Sequence, residues 1–345
     1  MTQKLFYITK GLEETAEKEI REKLDDLTVL GKNQKYVIAE IENQLGKISG
    51  LKTVDDAHLL LKKKDFQKKP SSEQIVDSCT SEDIQQATTK LSEFRELGDS
   101  FSITVSRYKN QKTDPSQIEK SLKQDISLKT DKNFEEKGSN CRLVFRIHIE
   151  EKRMLYSVRI DPRPLYFRDY REKGRKGSLK TSIAAGIVEM ADVKPGQKIV
   201  DNFAGAGTIL CEAQLQGLEV YGGDIDRDAV KCSRENLSNI SEEASNQIKR
   251  LDGRDSPHPD NYFDAAVSNI PWGKQVDLNE VELYSQTFEE YSRILKASGT
   301  LIILCDNPEL ARKHIEKNFP GHSLKSQKLG FLGQNPTAFI ARPEK

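Results

Sequence analysis

The sequence is poor in cysteine and in long apolar runs. Its five cysteines are scattered, with no C-x-x-C pair and an odd count, which argues against a disulfide framework and a cysteine-rich zinc site. The longest apolar runs, such as GTLIILC at 299–305, are far shorter than the ~20 residues of a membrane-spanning helix. The N-terminal MTQKLFYITKG has no apolar signal-peptide core. These absences predict a cytoplasmic protein that holds no metal and contacts no membrane.

The chain also lacks net charge, because 54 Lys and Arg balance 54 Asp and Glu. The balance is uneven along the chain, since residues 161–183 carry seven basic and three acidic side chains. A polyanionic partner is therefore expected at this short basic segment, although the chain as a whole is neutral. The length of 345 residues favours two or three domains.

The second half of the chain alternates strand and helix patterns. Short apolar strands are predicted at 197–203, 218–226 and 263–269, and each precedes a helical pattern. A long amphipathic helix is predicted over 280–299, whereas 322–343 indicates two strands without a helix between them. This order predicts an α/β fold, with a Rossmann-like, mostly parallel sheet and an antiparallel edge.

The first half is less regular and predicts α+β structure. Apolar alternation indicates strands such as 4–10 and 100–108, and residues 71–94 indicate one helical region with Ser72 near its cap. The proline-, glycine- and arginine-rich segment 161–177 is the predicted boundary between the two halves.

A glycine turn follows the first strand of the second half, in VDNFAGAGTIL. Gly205 and Gly207 allow a ligand to approach the backbone, and a helix that begins near Thr208 offers unpaired N–H groups. A generic α/β turn and a dinucleotide or phosphate loop are the alternatives. Against the latter, Leu210 stands where G-x-G-x-x-G has its third glycine, and no G-K-[ST] follows. Asp201 disfavours phosphate and favours a cationic ligand, such as the amino-acid end of S-adenosylmethionine.

Further aspartates occur where successive predicted strands end. Asp224 can accept hydrogen bonds from both hydroxyls of a ribose, whereas Asp226 fits better as a helix N-cap. Asp252 is suited to the exocyclic amine of adenine. Each alone would be an ordinary cap or turn residue, but Asp201, Asp224 and Asp252 together line the carboxyl edge of the sheet, where ligands of open α/β folds bind. The predicted cofactor site is completed by Phe203 and Ile225.

The sequence SNIPWG, which ends the third of these strands, holds the only tryptophan. With the glycine turn and the aspartates, it resembles the class I S-adenosylmethionine-dependent methyltransferases, and NIPWG resembles the N/D-P-P-Y motif of enzymes that methylate planar exocyclic amines. The resemblance implies that the Asn269 side-chain oxygen and the Ile270 carbonyl accept the two N–H bonds of the amine. Pro271 would stiffen the loop, and Trp272 would stack on the base. Ile270 stands where the family often has a first proline. The alternative is an ordinary strand end with a core tryptophan.

The segment 161–191 resembles more narrowly the THUMP-bearing tRNA guanine-N2 methyltransferases, although Thr181 replaces a proline that is common in that family. The domains that the resemblance implies are a ferredoxin-like domain at 1–70, a THUMP domain at 71–160, a linker at 161–177 and a methyltransferase domain at 178–345.

This resemblance also implies a tRNA partner. Basic and aromatic side chains alternate in the segment, as is typical of nucleic-acid contacts. The candidates for phosphate contact are Arg163, Arg168, Arg171, Lys173, Arg175 and Lys176. The aromatic residues Tyr166, Phe167 and Tyr170 would stack on RNA or pack at a domain interface.

The activity that the resemblance implies is methyl transfer to the exocyclic N2 amine of a guanosine in tRNA. Position 6 in the acceptor stem is expected, and position 10 is the runner-up. The target base must leave its stack to reach Trp272. Two other classes remain open. One is a methyltransferase for guanine N2 in ribosomal RNA or adenine N6 in nucleic acid; the other is a non-catalytic RNA-binding protein.

Overall fold

The chain divides into two compact units in a computed structural model. The described residues are 2–42, 44–136, 141–175, 177–271, 280–330 and 335–344. The first unit comprises residues 1–8 and 17–165, and the second comprises residues 9–16 and 166–345. The boundary at 165/166 falls inside the predicted linker, so most of that basic segment belongs to the second unit.

The first unit contains one eight-stranded sheet. Its strands are β1 (Thr2–Tyr7), β2 (Thr28–Lys32), β3 (Tyr36–Ile41), β4 (Asp56–Asp65), β5 (Ser100–Tyr108), β6 (Asn133–Phe134), β7 (Leu143–Glu150) and β8 (Arg153–Arg159). The strand order is β2-β3-β1-β4-β8-β7-β5-β6, and β4 pairs with β8. The sheet is therefore continuous across the predicted division at residue 70. Ferredoxin-like and THUMP domains within it remain predictions.

The helical region predicted at 71–94 is two helices. The helices of the first 165 residues are α1 (Glu13–Lys23), α2 (Leu45–Ser49), α3 (Ser72–Val76), α4 (Ser81–Ser92) and α5 (Pro115–Thr130). A capping box separates α3 from α4, because the Thr80 hydroxyl accepts from the Asp83 N–H while the Asp83 carboxylate accepts from the Thr80 N–H. The N-cap of α3 is Ser71, one residue before the predicted Ser72.

The second unit is an α/β fold around a seven-stranded sheet. Its strands are β9 (Lys198–Asp201), β10 (Glu219–Asp224), β11 (Ile248–Arg250), β12 (Phe263–Asn269), β13 (Leu295–Cys305), β14 (His322–Lys328) and β15 (Thr337–Pro343). The helices are α6 (Thr181–Glu189), α7 (Thr208–Gln214), α8 (Arg227–Ser238), α9 (Glu242–Asn246), α10 (Glu280–Ile294) and α11 (Pro308–Asn318). The order is β11-β10-β9-β12-β13-β15-β14. Strand β15 is antiparallel to both neighbours, and the other pairings are parallel. The predicted fold class is confirmed.

Both faces of this sheet are buried, which explains its apolar strands. Successive residues of β9 enter opposite cores, since Ile199 packs with α6, α7 and α8 while Val200 packs with α10 and α11. Strands β9 and β12 are adjacent although β10 and β11 lie between them in sequence. The strand order thus reverses beside β9, and ligands of such sheets bind at the carboxyl ends of the strands at this point.

The helix predicted over 280–299 is shorter in the structure. Helix α10 ends at Ile294, and Leu295 already belongs to β13, where it is the register partner of Phe263. The apolar period continues through Leu295, so the pattern alone does not show where the helix stops. Among the described residues, no helix has both the length and the apolar character needed to cross a membrane.

Candidate active site

Asp201 ends β9 as a buried carboxylate with one unsatisfied oxygen. Its side chain is 1% exposed, and Oδ1 accepts from the Phe203 N–H at 3.0 Å and the Ser268 hydroxyl at 2.6 Å. Oδ2 is buried and has no hydrogen-bond partner in the part of the chain that the structure describes. Burial raises the pKa of Asp201 to about 7 despite these two hydrogen bonds. A cationic group with N–H donors would satisfy this oxygen and favour the ionised form.

The turn after Asp201 requires glycine at two positions. Gly205 has φ +55° and Gly207 has φ +76°, which L side chains rarely adopt. Gly207 also lies against α8, because a Cβ there would be 2.4 Å from the Ser233 hydroxyl oxygen. Gly207 is the N-cap of α7, and the next residue, Thr208, begins that helix. The turn therefore brings backbone N–H groups to the carboxyl edge of the sheet.

Replacing Gly207 with alanine is expected to destabilise the protein more than the same change at Gly196. Gly196 has a similar φ of +82°, but a Cβ there meets nothing within 4 Å. Both variants incur about 1–2 kcal/mol for the left-handed conformation, and Gly207→Ala adds about 1–3 kcal/mol for the clash with Ser233. Urea denaturation measures both free energies of unfolding. Equal losses would contradict the close approach of the turn to α8.

Asp224 is oriented towards the same turn. Its Oδ2 accepts from the Gly205 N–H at 2.9 Å, and its Oδ1 accepts from the Asp226 N–H at 3.0 Å. Each carboxylate oxygen keeps a second lone pair for a ligand hydroxyl. The adjacent Ile225 is 57% exposed, so its side chain offers an apolar surface to a ligand. Asp224 and Ile225 therefore suit the ribose and the adenine ring of a nucleoside.

Asp252 and Asp226 have other partners. The Asp252 carboxylate pairs with Arg254 through two contacts of 2.9 and 2.6 Å, and this pairing lowers its pKa. An adenine amine would have to share Asp252 with Arg254, so that role remains a prediction.

Asp226 caps α8 by accepting from the Asp228 N–H at 2.8 Å, and its second oxygen pairs with Arg175. Phe203 packs against the loop that holds Asp252, because a Cβ on Gly253 would lie 2.6 Å from the Phe203 ring.

The loop after β12 presents a second unsatisfied side chain. Asn269 Oδ1 is buried and has no hydrogen-bond partner within the described residues. Ile270 is fully buried, and its N–H donates to the Leu304 carbonyl at 3.1 Å. A proline would lack this N–H, so here a hydrogen bond to β13 restrains the loop instead. Pro271 follows, and Trp272 lies outside the described residues, so its stacking role remains a prediction.

A buried hydroxyl network joins these two strand ends. The Ser268 hydroxyl lies 2.6 Å from Asp201 Oδ1 and 2.5 Å from the Tyr291 hydroxyl, which in turn accepts from the Asn202 N–H at 3.3 Å. The Asn202 amide is 1% exposed, and both its polar atoms are unsatisfied within the described residues. The sequence motifs did not predict Ser268, Tyr291 or Asn202 as site residues, although Ser268 and Asn202 directly adjoin residues that were predicted. The network ties Asp201 at the end of β9 to Ser268, the residue before Asn269 at the end of β12.

Residues 168–333 match the family model UPF0020, described as an RMKL-like methyltransferase domain. We call this matched segment the methyltransferase domain. The residues of this domain fit the predicted cofactor, S-adenosylmethionine. The unsatisfied Asp201 Oδ2 suits the amino-acid end, and Asp224 and exposed Ile225 suit the nucleoside.

Curated relatives extend this similarity. The chain is 27% identical over 213 residues to a tRNA (guanine(10)-N2)-dimethyltransferase of Methanothermobacter thermautotrophicus, covering 58% of this chain and 60% of that protein. It is 28% identical over 156 residues to the human U6 snRNA (guanine-N(2))-methyltransferase THUMPD2, covering 44% and 31%. It is 26% identical over 179 residues to a tRNA (guanine(6)-N2)-methyltransferase of Thermus thermophilus, covering 50% and 53%. The chain thus spans 31–60% of the length of these relatives.

Among solved structures, TrmN from Thermus thermophilus matches the chain with a TM-score of 0.81 and 20% identity, covering 100% of both chains. At this identity the match shows a shared fold.

The prediction that Arg168 contacts phosphate is wrong. Its side chain is 6% exposed and pairs with the fully buried Glu212 on α7, with Nε 2.9 Å from Oε1. The Tyr170 hydroxyl donates to the same oxygen at 2.9 Å, and Tyr170 is itself buried. Both side chains fix the start of the methyltransferase domain to α7, so neither is available to RNA. The sequence shows that these side chains are basic and aromatic, but it does not show that both are buried.

Truncating Arg168 to alanine is expected to destabilise the methyltransferase domain rather than to change its salt-dependent RNA binding. Removing one partner of a buried ion pair costs about 3–5 kcal/mol, which urea denaturation measures. The dependence of log Kd for RNA on log salt should keep its slope. The exposed Lys173→Ala is the control and should reduce the slope by about 0.7–0.9. A reduced slope for Arg168→Ala would reinstate phosphate contact.

The remaining basic candidates differ in accessibility. Lys173 is 57% exposed and pairs with Glu235 at 2.8 Å, and Arg175 pairs with Asp226 at the surface. Arg171 donates to the Leu179 carbonyl at 3.1 Å. Arg163 belongs to the first unit, and Lys176 lies outside the described residues. Exposed ion pairs are weak, so phosphate can displace the carboxylates from Lys173 and Arg175.

Proposed function

We propose that this protein transfers a methyl group from S-adenosylmethionine to the exocyclic N2 amine of a guanosine in tRNA. The observation that carries the proposal is the unsatisfied Asn269 Oδ1 at the end of β12, beside the buried Asp201 at the end of β9. These strands are adjacent at the point where the strand order reverses. The proposal puts an acceptor for the substrate amine next to the cofactor turn.

The chemistry requires positioning rather than a strong base. The lone pair of a guanine amine is delocalised into the ring, so the nitrogen is a weak nucleophile. When bound, S-adenosylmethionine supplies an electrophilic methyl group on a sulfonium. Asn269 Oδ1 and the Ile270 carbonyl would accept the two N–H bonds, so that the nitrogen becomes pyramidal and directs its lone pair at the methyl carbon. Transfer would break the carbon–sulfur bond, leaving its electron pair on sulfur as a neutral thioether, and the methylated nitrogen would release its surplus proton to solvent.

The choice of tRNA rests on the relatives and on the surface of the methyltransferase domain. Two of the three relatives act on tRNA by name. In the basic segment, Tyr166 is 39% exposed and Phe167 is 54% exposed, near the accessible Lys173 and Arg175 in sequence. Exposed aromatic and basic side chains suit unstacked RNA bases and phosphates. Arg163 and a THUMP domain in the first unit would add to tRNA binding.

Position 6 of the acceptor stem is the target that we propose. The Thermus thermophilus relative carries this specificity in its name. Position 10 is the second candidate, because the relative named for it aligns over 213 residues rather than 179. The human relative is named for U6 snRNA, so a guanosine in an RNA other than tRNA is the competing substrate.

Mass-spectrometric nucleoside mapping tests both the activity and the position. Total tRNA, ribosomal RNA and DNA are incubated with the protein and methyl-deuterated S-adenosylmethionine, and tRNA transcripts with G6→A or G10→A serve as controls. The expected product is deuterated N2-methylguanosine at position 6 of tRNA, absent from the G6→A transcript. Label at position 10 would support the second candidate. Label only in ribosomal RNA or in adenine would refute the proposal, and calorimetry without cofactor binding would indicate a non-catalytic protein.

A further inference from the structure

The side-chain amide of Asn236 on α8 connects two parts of the methyltransferase domain that the proposed function uses separately. Asn236 is 1% exposed. Its Nδ2 donates to the Ala206 carbonyl at 2.9 Å and to the Lys173 carbonyl at 3.0 Å, and its Oδ1 accepts from the Lys173 N–H at 3.3 Å. One buried amide therefore holds the cofactor turn and the backbone of the basic segment together.

The position of Ala206 makes this contact consequential for the cofactor. Ala206 lies between Gly205 and Gly207, the two glycines of the turn, both of which have positive φ. The Ala206 carbonyl and the Gly207 N–H belong to one peptide group, and this N–H donates to the Ala204 carbonyl at 2.7 Å. Asn236 therefore restrains the peptide that closes the glycine turn. A change in the basic segment that shifts Asn236 would therefore alter the conformation of the glycine turn, which the proposed function assigns to the cofactor.

A second path of polar contacts links the basic segment to the glycine turn, in addition to the path through Asn236. Arg175 pairs with Asp226, the Asp226 N–H donates to Asp224 Oδ1, and Asp224 Oδ2 accepts from the Gly205 N–H. A phosphate bound by Arg175 would compete with Asp226 at one end of this path, while Asp224 faces the expected ribose at the other. Both paths begin at a basic residue that is accessible to RNA and end in the same glycine turn.

We infer that Asn236 is a positioning residue that couples tRNA binding on the basic segment to cofactor binding in the glycine turn. The inference rests on the proposed function. A tRNA that orders Lys173 and Arg175 also orders the turn through Asn236, so the cofactor then binds to a turn that is already held in place. The coupling is reciprocal, so each ligand tightens the other by the same factor.

The coupling is measured as a ratio of dissociation constants. The Kd of S-adenosylhomocysteine is determined by calorimetry with the full-length protein, alone and with saturating tRNA. The wild type is expected to bind at least about fivefold more tightly when tRNA is present. In Asn236→Ala, this ratio should fall towards one. Asn236→Asp is the second variant, since it keeps the acceptor for the Lys173 N–H but removes the donor to Ala206.

Asn239→Ala is the matched control. Asn239 follows α8 and its Nδ2 donates to the Tyr170 carbonyl at 3.1 Å, so it ties the same segment to the same helix without contacting the glycine turn. This variant should keep the wild-type ratio. A merely structural role of Asn236 would lower both affinities but leave their ratio unchanged.

Three results would overturn the inference. These are a wild-type ratio of one, a wild-type ratio retained in the Asn236 variants, and an equal loss of the ratio in Asn239→Ala. If the wild type methylates tRNA guanosine but its ratio of dissociation constants is one, the inference alone fails. If the wild type neither binds nor methylates tRNA, the proposed function fails and the inference fails with it.

Discussion

Replacing Asn269 with alanine is expected to lower kcat by about two to three orders of magnitude, the usual effect of removing one preorganised hydrogen-bonding group from a transition state. The Kd values for S-adenosylhomocysteine and for tRNA should change little, because Asn269 Oδ1 would contact the amine and has no partner among the described residues to lose. Single-turnover methyl transfer measures the chemical step, and calorimetry measures the two affinities. A loss confined to kcat separates positioning from binding.

Asn269→Asp is the control for this variant. It keeps an acceptor oxygen at the same place, and the motif that NIPWG resembles accepts either residue. Partial activity is therefore expected for Asn269→Asp where Asn269→Ala has almost none. Wild-type kcat in Asn269→Ala would show that the amide is an ordinary strand end. An equal loss of cofactor affinity would show instead that the loop has a structural role.

The affinity for S-adenosylmethionine is expected to rise with pH and to level off near pH 7. Without cofactor, burial raises the pKa of Asp201 to about 7, so a proton occupies the carboxyl at lower pH. A cationic ligand prefers the ionised form, so binding below pH 7 must release that proton. The logarithm of the binding constant should then increase by up to about one per pH unit. Calorimetry in buffers of different ionisation enthalpy measures the released proton directly.

Asp201→Asn should weaken cofactor binding strongly and remove its pH dependence, yet stabilise the protein. In the unfolded chain this carboxyl has its ordinary pKa of 3.8. The raised folded pKa means that ionisation opposes folding increasingly between pH 3.8 and 7. Because asparagine avoids that charge, the free energy of unfolding at pH 8 should rise by up to about 4 kcal/mol, and little at pH 4. Lower stability at pH 8, or unchanged affinity, would contradict a buried, cofactor-binding carboxylate.

The parts of the site that the sequence predicts are those whose chemistry is local. Gly205 and Gly207 stand in a turn directly after Asp201, and the structure gives both a positive φ. Asn269 and Ile270 are neighbours in one motif at a strand end. In each case, the residues that create the feature lie within a few positions of one another, so a pattern in the chain is enough to indicate it.

The remaining features depend on partners that are distant in sequence. Ser268 meets Asp201 and Tyr291 only because β9, β12 and α10 converge, and Asn236 reaches Lys173 across 63 residues. Arg168 resembles its basic neighbours in the chain, but Glu212, 44 residues later, buries it. The continuous sheet of the first unit likewise depends on the pairing of β4 with β8. Local patterns carry no information about such pairings.

The most direct test of this account is a crystal structure of the protein with S-adenosylhomocysteine and a guanosine-containing RNA that it binds. The account predicts that the guanine N2 lies about 2.7–3.2 Å from both Asn269 Oδ1 and the Ile270 carbonyl, with the cofactor sulfur on the side of Asp201 and the glycine turn. A guanine edge bound away from Asn269, or a sulfur directed away from this loop, would contradict it.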